Sequence, residues 1–276
     1  MKSLLFGTAG IPLSTEKRDT VNGIKRVRGL GLDAMELEFV QSVNISEQKA
    51  PEVKKTAMAE DIVLTCHGQY YINLTSKEEL KIQQSKERIL KAARIVNACG
   101  GWSATWHMAF YQGQNKEKVH EQVKKQLKEI VALLKDEGNT IWIRPETTGK
   151  PTQWGDLREV LDVSQEIDQV LPCIDFAHLH ARYNGKNNTY EEFCAILREI
   201  ENALGREGLD NMHIQVAGIA YSEKGERNHL PLQESDLNYQ DLIRAWKDFK
   251  IKGVVIAESP AMEKDALLLQ GLWKKM

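Results

Sequence analysis

No C-x-x-C pair occurs in this 276-residue chain; its four cysteines, Cys66, Cys99, Cys173 and Cys194, stand far apart. That spacing excludes a zinc ribbon and a thioredoxin-like redox pair. It suits reduced thiols in a cytoplasmic protein. No apolar run approaches the ~18 residues of a membrane span, so no membrane partner is expected. The opening stretch, MKSLLFGTAGIP, carries one lysine and lacks both a long apolar core and a small-residue cleavage site. It reads as a first strand rather than a secretory signal. Charge of one sign is also missing: 37 Lys and Arg face 39 Asp and Glu, a net charge of −2. That leaves no global electrostatic footprint for nucleic acid. It remains compatible with a local basic rim around bound metal ions, which bring positive charge of their own. There is no low-complexity segment and no linker. The first strand is followed by FGTAGIP, not by G-x-G-x-x-G, which argues against a doubly wound nucleotide-binding sheet.

What the chain does have is a rhythm. Short β-branched and apolar stretches alternate with longer charged stretches of helical period. Eight strands are expected, at 4–10, 34–40, 62–68, 102–108, 140–147, 172–178, 212–218 and 254–260. The helical stretches between them carry start and stop signals. Gly pairs close two of them, Thr75 or Ser76 offers a cap for the third, and Thr189 with Glu192 forms a capping box. Eight βα units in this length predict a single (β/α)8 barrel over residues 1–276, with a doubly wound sheet as the weaker alternative.

A barrel places its chemistry at the carboxyl ends of the strands. His67, His107, Glu146, Asp175 with His178, His213 and Glu258 fall at or near six consecutive strand ends. A lone histidine there is more often a hydrogen-bonded structural residue than a ligand. Agreement among six ends points instead to a ring of metal ligands. Imidazole and carboxylate without thiolate suit zinc, manganese or iron, and carboxylates can bridge two ions, a standard device for phosphodiester cleavage. His120 lies in a charged helical context and is set aside. Glu36 and Glu38 alternate with Met35, Leu37 and Phe39 and are expected to form an inward polar layer. Cys66 and Cys173 read as packing residues.

Several segments together resemble the endonuclease IV family of apurinic/apyrimidinic endonucleases, within the wider xylose-isomerase-like barrel group. HGQYYINL (67–74) is similar to the family's His-x-x-Tyr-Leu-Ile-Asn-Leu, CIDFAH (173–178) to its Cys-Ile-Asp-Thr-x-His, and RPETTG (144–149) to its Leu-Glu-Asn-Thr-Ala-Gly. MHIQVA and AESP match a Met-His-Leu-Asn-Asp strand and a Leu-Glu-Thr end less closely. The resemblance implies a trinuclear zinc centre. His67 and His107 would bind one ion and share Glu146 with a second, which Asp175, His213 and Glu258 would complete. His178 would serve a third with an Asp-Arg-His loop. That loop here reads GERNHLPL, with Glu226 in the Asp position, Arg227 matching, Asn228 in the His position and His229 one residue late. His180 is a spare candidate. Manganese or iron could replace zinc.

The implied activity is hydrolysis of the phosphodiester 5′ to an abasic site in duplex DNA by a metal-bound hydroxide, with Glu146 and Glu258 orienting or deprotonating the water. Tyr70 and Tyr71 stand where the family inserts a Tyr-Leu pair into the abasic gap; a loop aromatic pair covering the mouth is an equal reading. Arg182, Lys186, Lys224 and Arg227 are the candidate phosphate contacts. A monomer is expected. Two other readings stay open. A sugar or sugar-phosphate isomerase or epimerase would use one divalent ion held by Glu146, Asp175, His213 and Glu258. A metal-binding barrel without DNA activity would fit the altered loop.

Overall fold

The computed structural model describes residues 1–276. The chain forms ten strands and nine α-helices. The strands are β1 (Leu4–Ala9), β2 (Ala34–Glu38), β3 (Val63–His67), β4 (Ser103–Trp106), β5 (Trp142–Pro145), β6 (Cys173–Asp175), β7 (Met212–Val216), β8 (Gly218–Ser222), β9 (Gly225–Leu230) and β10 (Gly253–Ala257). The helices are α1 (Thr20–Gly29), α2 (Ala50–Ala59), α3 (Glu79–Ala98), α4 (Lys116–Asp136), α5 (Leu157–Glu166), α6 (Phe176–Arg182), α7 (Tyr190–Asp210), α8 (Tyr239–Asp248) and α9 (Glu263–Lys275).

Eight strands form one parallel sheet in the order β5-β4-β3-β2-β1-β10-β7-β6. Single bridges, Ile143 to Val170 and Glu146 to Cys173, bring its two ends together into a nearly closed barrel. These are the eight strands that the alternating pattern predicts. Period-two alternation sends Met35 and Leu37 outward to the helices and Glu36 inward, where it is fully buried. The helices bury one stripe each; Ile24 and Val27 of α1 are wholly inaccessible, and truncating such a residue costs ~2–5 kcal/mol. No helix is long and apolar enough to cross a membrane.

Local chemistry explains where the elements end. The sixth strand does not run to His178, as expected, but stops at Asp175. The Asp175 carboxylate accepts the His178 backbone N–H at 2.6 Å and so caps α6. Thr189 and Glu192 do form the expected capping box at the start of α7. The third helical stretch starts later than Thr75 or Ser76 suggests: Glu78 precedes its first turn and makes no side-chain cap. The β8–β9 hairpin was not expected. Its strand β9, GERNHL, is too polar to read as a strand.

A candidate metal centre at the barrel mouth

His67 closes β3, His107 and Glu146 directly follow β4 and β5, Asp175 closes β6, and Glu258 follows β10. All stand at the carboxyl end of the barrel, where the βα loops meet. Together with Ala9, Glu38, Tyr70, His178, Glu226 and His229 most of them line a cavity of about 160 Å³. Gly68, after His67, is required by a close approach: a Cβ there would sit 1.6 Å from Trp106 Nε1.

Glu146 is the hub. Its Oε1 lies 2.7 Å from His107 Nε2 and 3.1 Å from His178 Nδ1, and its Oε2 lies 3.4 Å from His67 Nε2. Burial acts to raise its pKa, but the charge of His107 and hydrogen bonds from His107, His178 and His67 outweigh it and hold the carboxyl well below its usual range. Burial, and then the charge of neighbouring Glu36, pushes Glu38 up to about 8. Burial, and then Glu146, holds Glu258 well above the ordinary carboxylate range.

The imidazoles are oriented by backbone carbonyls, which can only accept. Gly68 O lies 2.8 Å from His67 Nδ1, Thr147 O 3.0 Å from His178 Nδ1, and Glu258 O 3.2 Å from His229 Nδ1. Each Nδ1 therefore carries a proton, and once a ring is neutral its Nε2 presents a lone pair to the mouth. The Nε2 atoms of His178 and His229 face one another at 3.3 Å. Two bare lone pairs at that distance repel unless a proton or cation lies between them.

β9 delivers His229 through a bulge. Glu226 and His229 are three residues apart, so a regular strand would send them to opposite faces. The β8–β9 register shifts between Ala220, opposite Asn228, and Tyr221, opposite Glu226, leaving Arg227 as the extra residue. The bulge returns both side chains to the cavity, and Glu226 Oε2 lies 3.6 Å from His178 Nε2. The histidine that is one residue late in sequence is thus in place in space.

These donors fit a metal ion. Two sets, His67 with His107 and Glu146, and Asp175 with His178 and His229, each bring their ligand atoms within 4.8 Å of one another. Asp175 Oδ2 and Glu38 Oε1 are buried without a hydrogen-bond partner, a costly state that a cation would relieve. Nitrogen and oxygen donors without thiolate suit zinc, manganese or iron.

Three expected site residues lie elsewhere. His213 is the second residue of β7, level with Cys173 and Val254, one layer below the mouth. It is fully buried, with Nδ1 3.1 Å from Ser103 Oγ and Nε2 3.1 Å from Glu36 Oε2; it joins neither ligand set. The residue of β7 level with Asp175 is Gln215. Arg182 is buried and spends its guanidinium on the carbonyls of Thr148, Lys150 and Gln153, so it braces a loop instead of facing a phosphate. His180 is enclosed between Lys186 O at 2.8 Å and Asp236 Oδ1 at 3.1 Å. His120, at a helix surface, instead accepts from Trp154 Nε1 and pairs with Asp162.

The remaining candidates are at the surface. Tyr70 and Tyr71 are 58% and 71% exposed at the rim. Lys224 and Arg227, with Lys150, line a groove of about 590 Å³ that shares Glu226 with the central cavity; Lys186 is exposed nearby in sequence to α6. Sequence reasoning missed Lys150 and Gln215. The second was findable, because it shares an inward face with His213 and stands nearer the strand end.

Residues 24–274 match the family described as the xylose isomerase-like TIM barrel. The chain belongs to this family. It is a family of enzymes. An uncharacterised protein of Methanocaldococcus jannaschii is 43% identical over 273 residues, covering 99% of this chain and 98% of its own. A probable endonuclease 4 of Mycoplasma pneumoniae is 24% identical over 204 residues, covering 72% and 68%. Among solved structures, endonuclease IV of Thermus thermophilus superposes with a TM-score of 0.75 at 16% identity, covering 98% of each chain. A D-tagatose 3-epimerase-like protein does so with a TM-score of 0.75 at 16% identity, covering 98% and 96%. These two structures share the fold.

Proposed function

We propose that this barrel is a metal-dependent phosphodiesterase that cleaves duplex DNA at abasic sites. The observation that carries the reading is Glu146 with three imidazoles around it, one set of ligands on each side of a single carboxylate. Zinc, or manganese or iron, held there would supply an activated water and neutralise charge developing on a phosphate. His67, His107 and Glu146 would hold one ion; Asp175, His178 and His229 would hold another, with Glu226 beside it.

The rest falls to the chain's own groups. Lys150, Lys224 and Arg227 outnumber Glu223 and Glu226 along a groove that opens beside the cavity, and would contact a phosphate backbone. Tyr70 and Tyr71 offer exposed rings to stack in the gap left by a missing base. An abasic nucleotide is cheap to extrude because no base pair must open. Glu258 borders the cavity and is placed to orient water against the scissile phosphate.

The small size of the cavity favours a second reading, a sugar or sugar-phosphate isomerase or epimerase. That reading would use Glu146, Asp175 and Glu258, but the imidazole it wants from β7 lies a layer too deep, at His213. A duplex with one abasic site, incubated with zinc-loaded protein with and without chelator, separates the two. Chelator-sensitive nicking 5′ to the lesion is expected. No nicking, alongside turnover of a ketose or ketose phosphate, would overturn the nuclease in favour of the isomerase.

A further inference from the structure

Gln215 stands at the strand end of β7, level with Asp175 on one side and Ile256 on the other. A ligand from this strand would have to come from here. Its Nε2 instead donates to Glu258 Oε1 at 2.7 Å and to Glu36 Oε1 at 2.9 Å. Its Oε1 accepts from Cys173 Sγ at 3.2 Å, away from the cavity. The orientation of the amide follows from its partners: turned over, its carbonyl would face the Glu36 carboxylate and leave the Cys173 thiol without its acceptor. Both amide hydrogens and the carbonyl oxygen are therefore engaged, and Gln215 has nothing to give a cation.

Glu36 anchors this arrangement from below. It is fully buried, accepts from Thr65 Oγ1 at 2.8 Å, and lies 3.1 Å from His213 Nε2, whose other nitrogen meets Ser103. A column of polar groups thus runs up the barrel from Ser103 through His213, Glu36 and Gln215 to Glu258. Glu258 is held at its top and belongs to neither ligand set.

We infer that the mouth takes two divalent cations and not three, one at His67, His107 and Glu146 and one at Asp175, His178 and His229, while Gln215 and Glu36 are positioning residues that hold Glu258 as a free carboxyl between them. This rests on the reading of the mouth as a metal centre. It reverses the assignment that the family resemblance implies: the set around His178 is complete, and the middle set of Asp175, His213 and Glu258 is not. The physical reason is a two-residue offset on β7, which buries the imidazole one layer down and puts an amide in its place.

The test counts ions and needs no substrate. Metal-free protein is titrated with Zn²⁺ alone by calorimetry, desalted, and measured by elemental analysis. Two ions per chain are expected; one or three would overturn the inference. Glu258→Gln keeps the size and the hydrogen bond from Gln215. It should retain two ions with affinity unchanged within about twofold, and loss of an ion would make Glu258 a ligand. Gln215→His puts an imidazole level with Asp175 and should raise the count to three. A folded Q215H protein that still holds two would remove Gln215 from the explanation. If that variant does not fold, the wild-type and Glu258→Gln counts decide the matter. A count of two in a protein that does not nick abasic DNA would leave this inference standing and sink the proposed function.

Discussion

The Nε2 atoms of His178 and His229 lie 3.3 Å apart, and each ring is held by a hydrogen bond from Nδ1 to a backbone carbonyl. Neither ring can turn its proton inward without losing that bond, so a shared cation is the arrangement that satisfies both. His229→Ala should lower bound metal by one ion per chain and spare the ion at His67, His107 and Glu146. Elemental analysis after desalting checks it, and loss of all metal would show that the two sets are not independent.

Without an ion, His178 takes a proton, while burial and the charge of His178 push His229 down. Burial opposes the charge on His178, but Asp175, then Glu146 and Glu226, outweigh it and raise the group to about 10. A raised pKa means that the protonated form stabilises the fold fully below the ordinary histidine value, ~6.5, and that this contribution fades as pH rises through about 10. Ion binding needs the proton gone. Metal-free protein should therefore lose thermal stability between about pH 6.5 and about pH 10, while the increment given by added Zn²⁺ grows over the same interval. Melting curves with chelator and with Zn²⁺ give both trends; an increment that shrinks with rising pH would contradict them.

Gly149 lies against the second set. A Cβ there would meet Glu226 Oε2 at 2.6 Å, Glu226 Cβ at 2.7 Å and His178 Cδ2 at 3.1 Å. Gly149→Ala should weaken the ion at Asp175, His178 and His229 by tenfold or more, with the other ion unaffected, as read by calorimetric titration. The carboxylate of Glu226 can swing away, but its Cβ is fixed to β9, so the hairpin must shift as well and the melting temperature should fall.

Under the proposed function, the groove lined by Lys150, Lys224 and Arg227 would serve DNA binding alone, since none of the three belongs to either candidate metal set. Alanine at each should weaken binding to abasic duplex about equally for all sequences and reduce the slope of log affinity against log salt by about 1. Arg182→Ala should behave differently. Its guanidinium supports the loop at 148–153, so its loss should lower the melting temperature and leave the salt slope unchanged.

The barrel was legible because its rule is local. Strands of period two, bounded by capped helices, repeat eight times, and a parallel barrel is the arrangement that buries both faces of such strands. The ring of polar side chains at the mouth was legible in outline because the carboxyl ends of those strands are where side chains can converge. His67, His107, Glu146, Asp175 and Glu258 could be found by counting to the end of each strand. His213 was misplaced because three residues of β7 follow it, up to Val216, so it stands a layer below the mouth. Arg182 and His180 were misread because a helix of seven residues, α6, turns them inward; from sequence alone they looked like loop residues.

What the sequence determined by itself is the order of the elements and the types of donor available, since both depend on spacing and side-chain chemistry. Only the tertiary structure decided which donors lie together. His229 joins His178 because a bulge at Arg227 restores the face that a three-residue spacing would lose. Glu258 is set apart because Gln215, forty-three residues earlier in the chain, reaches it with an amide hydrogen. Both relations join residues far apart in sequence, through strand register and a bulge, and local periodicity carries no record of either.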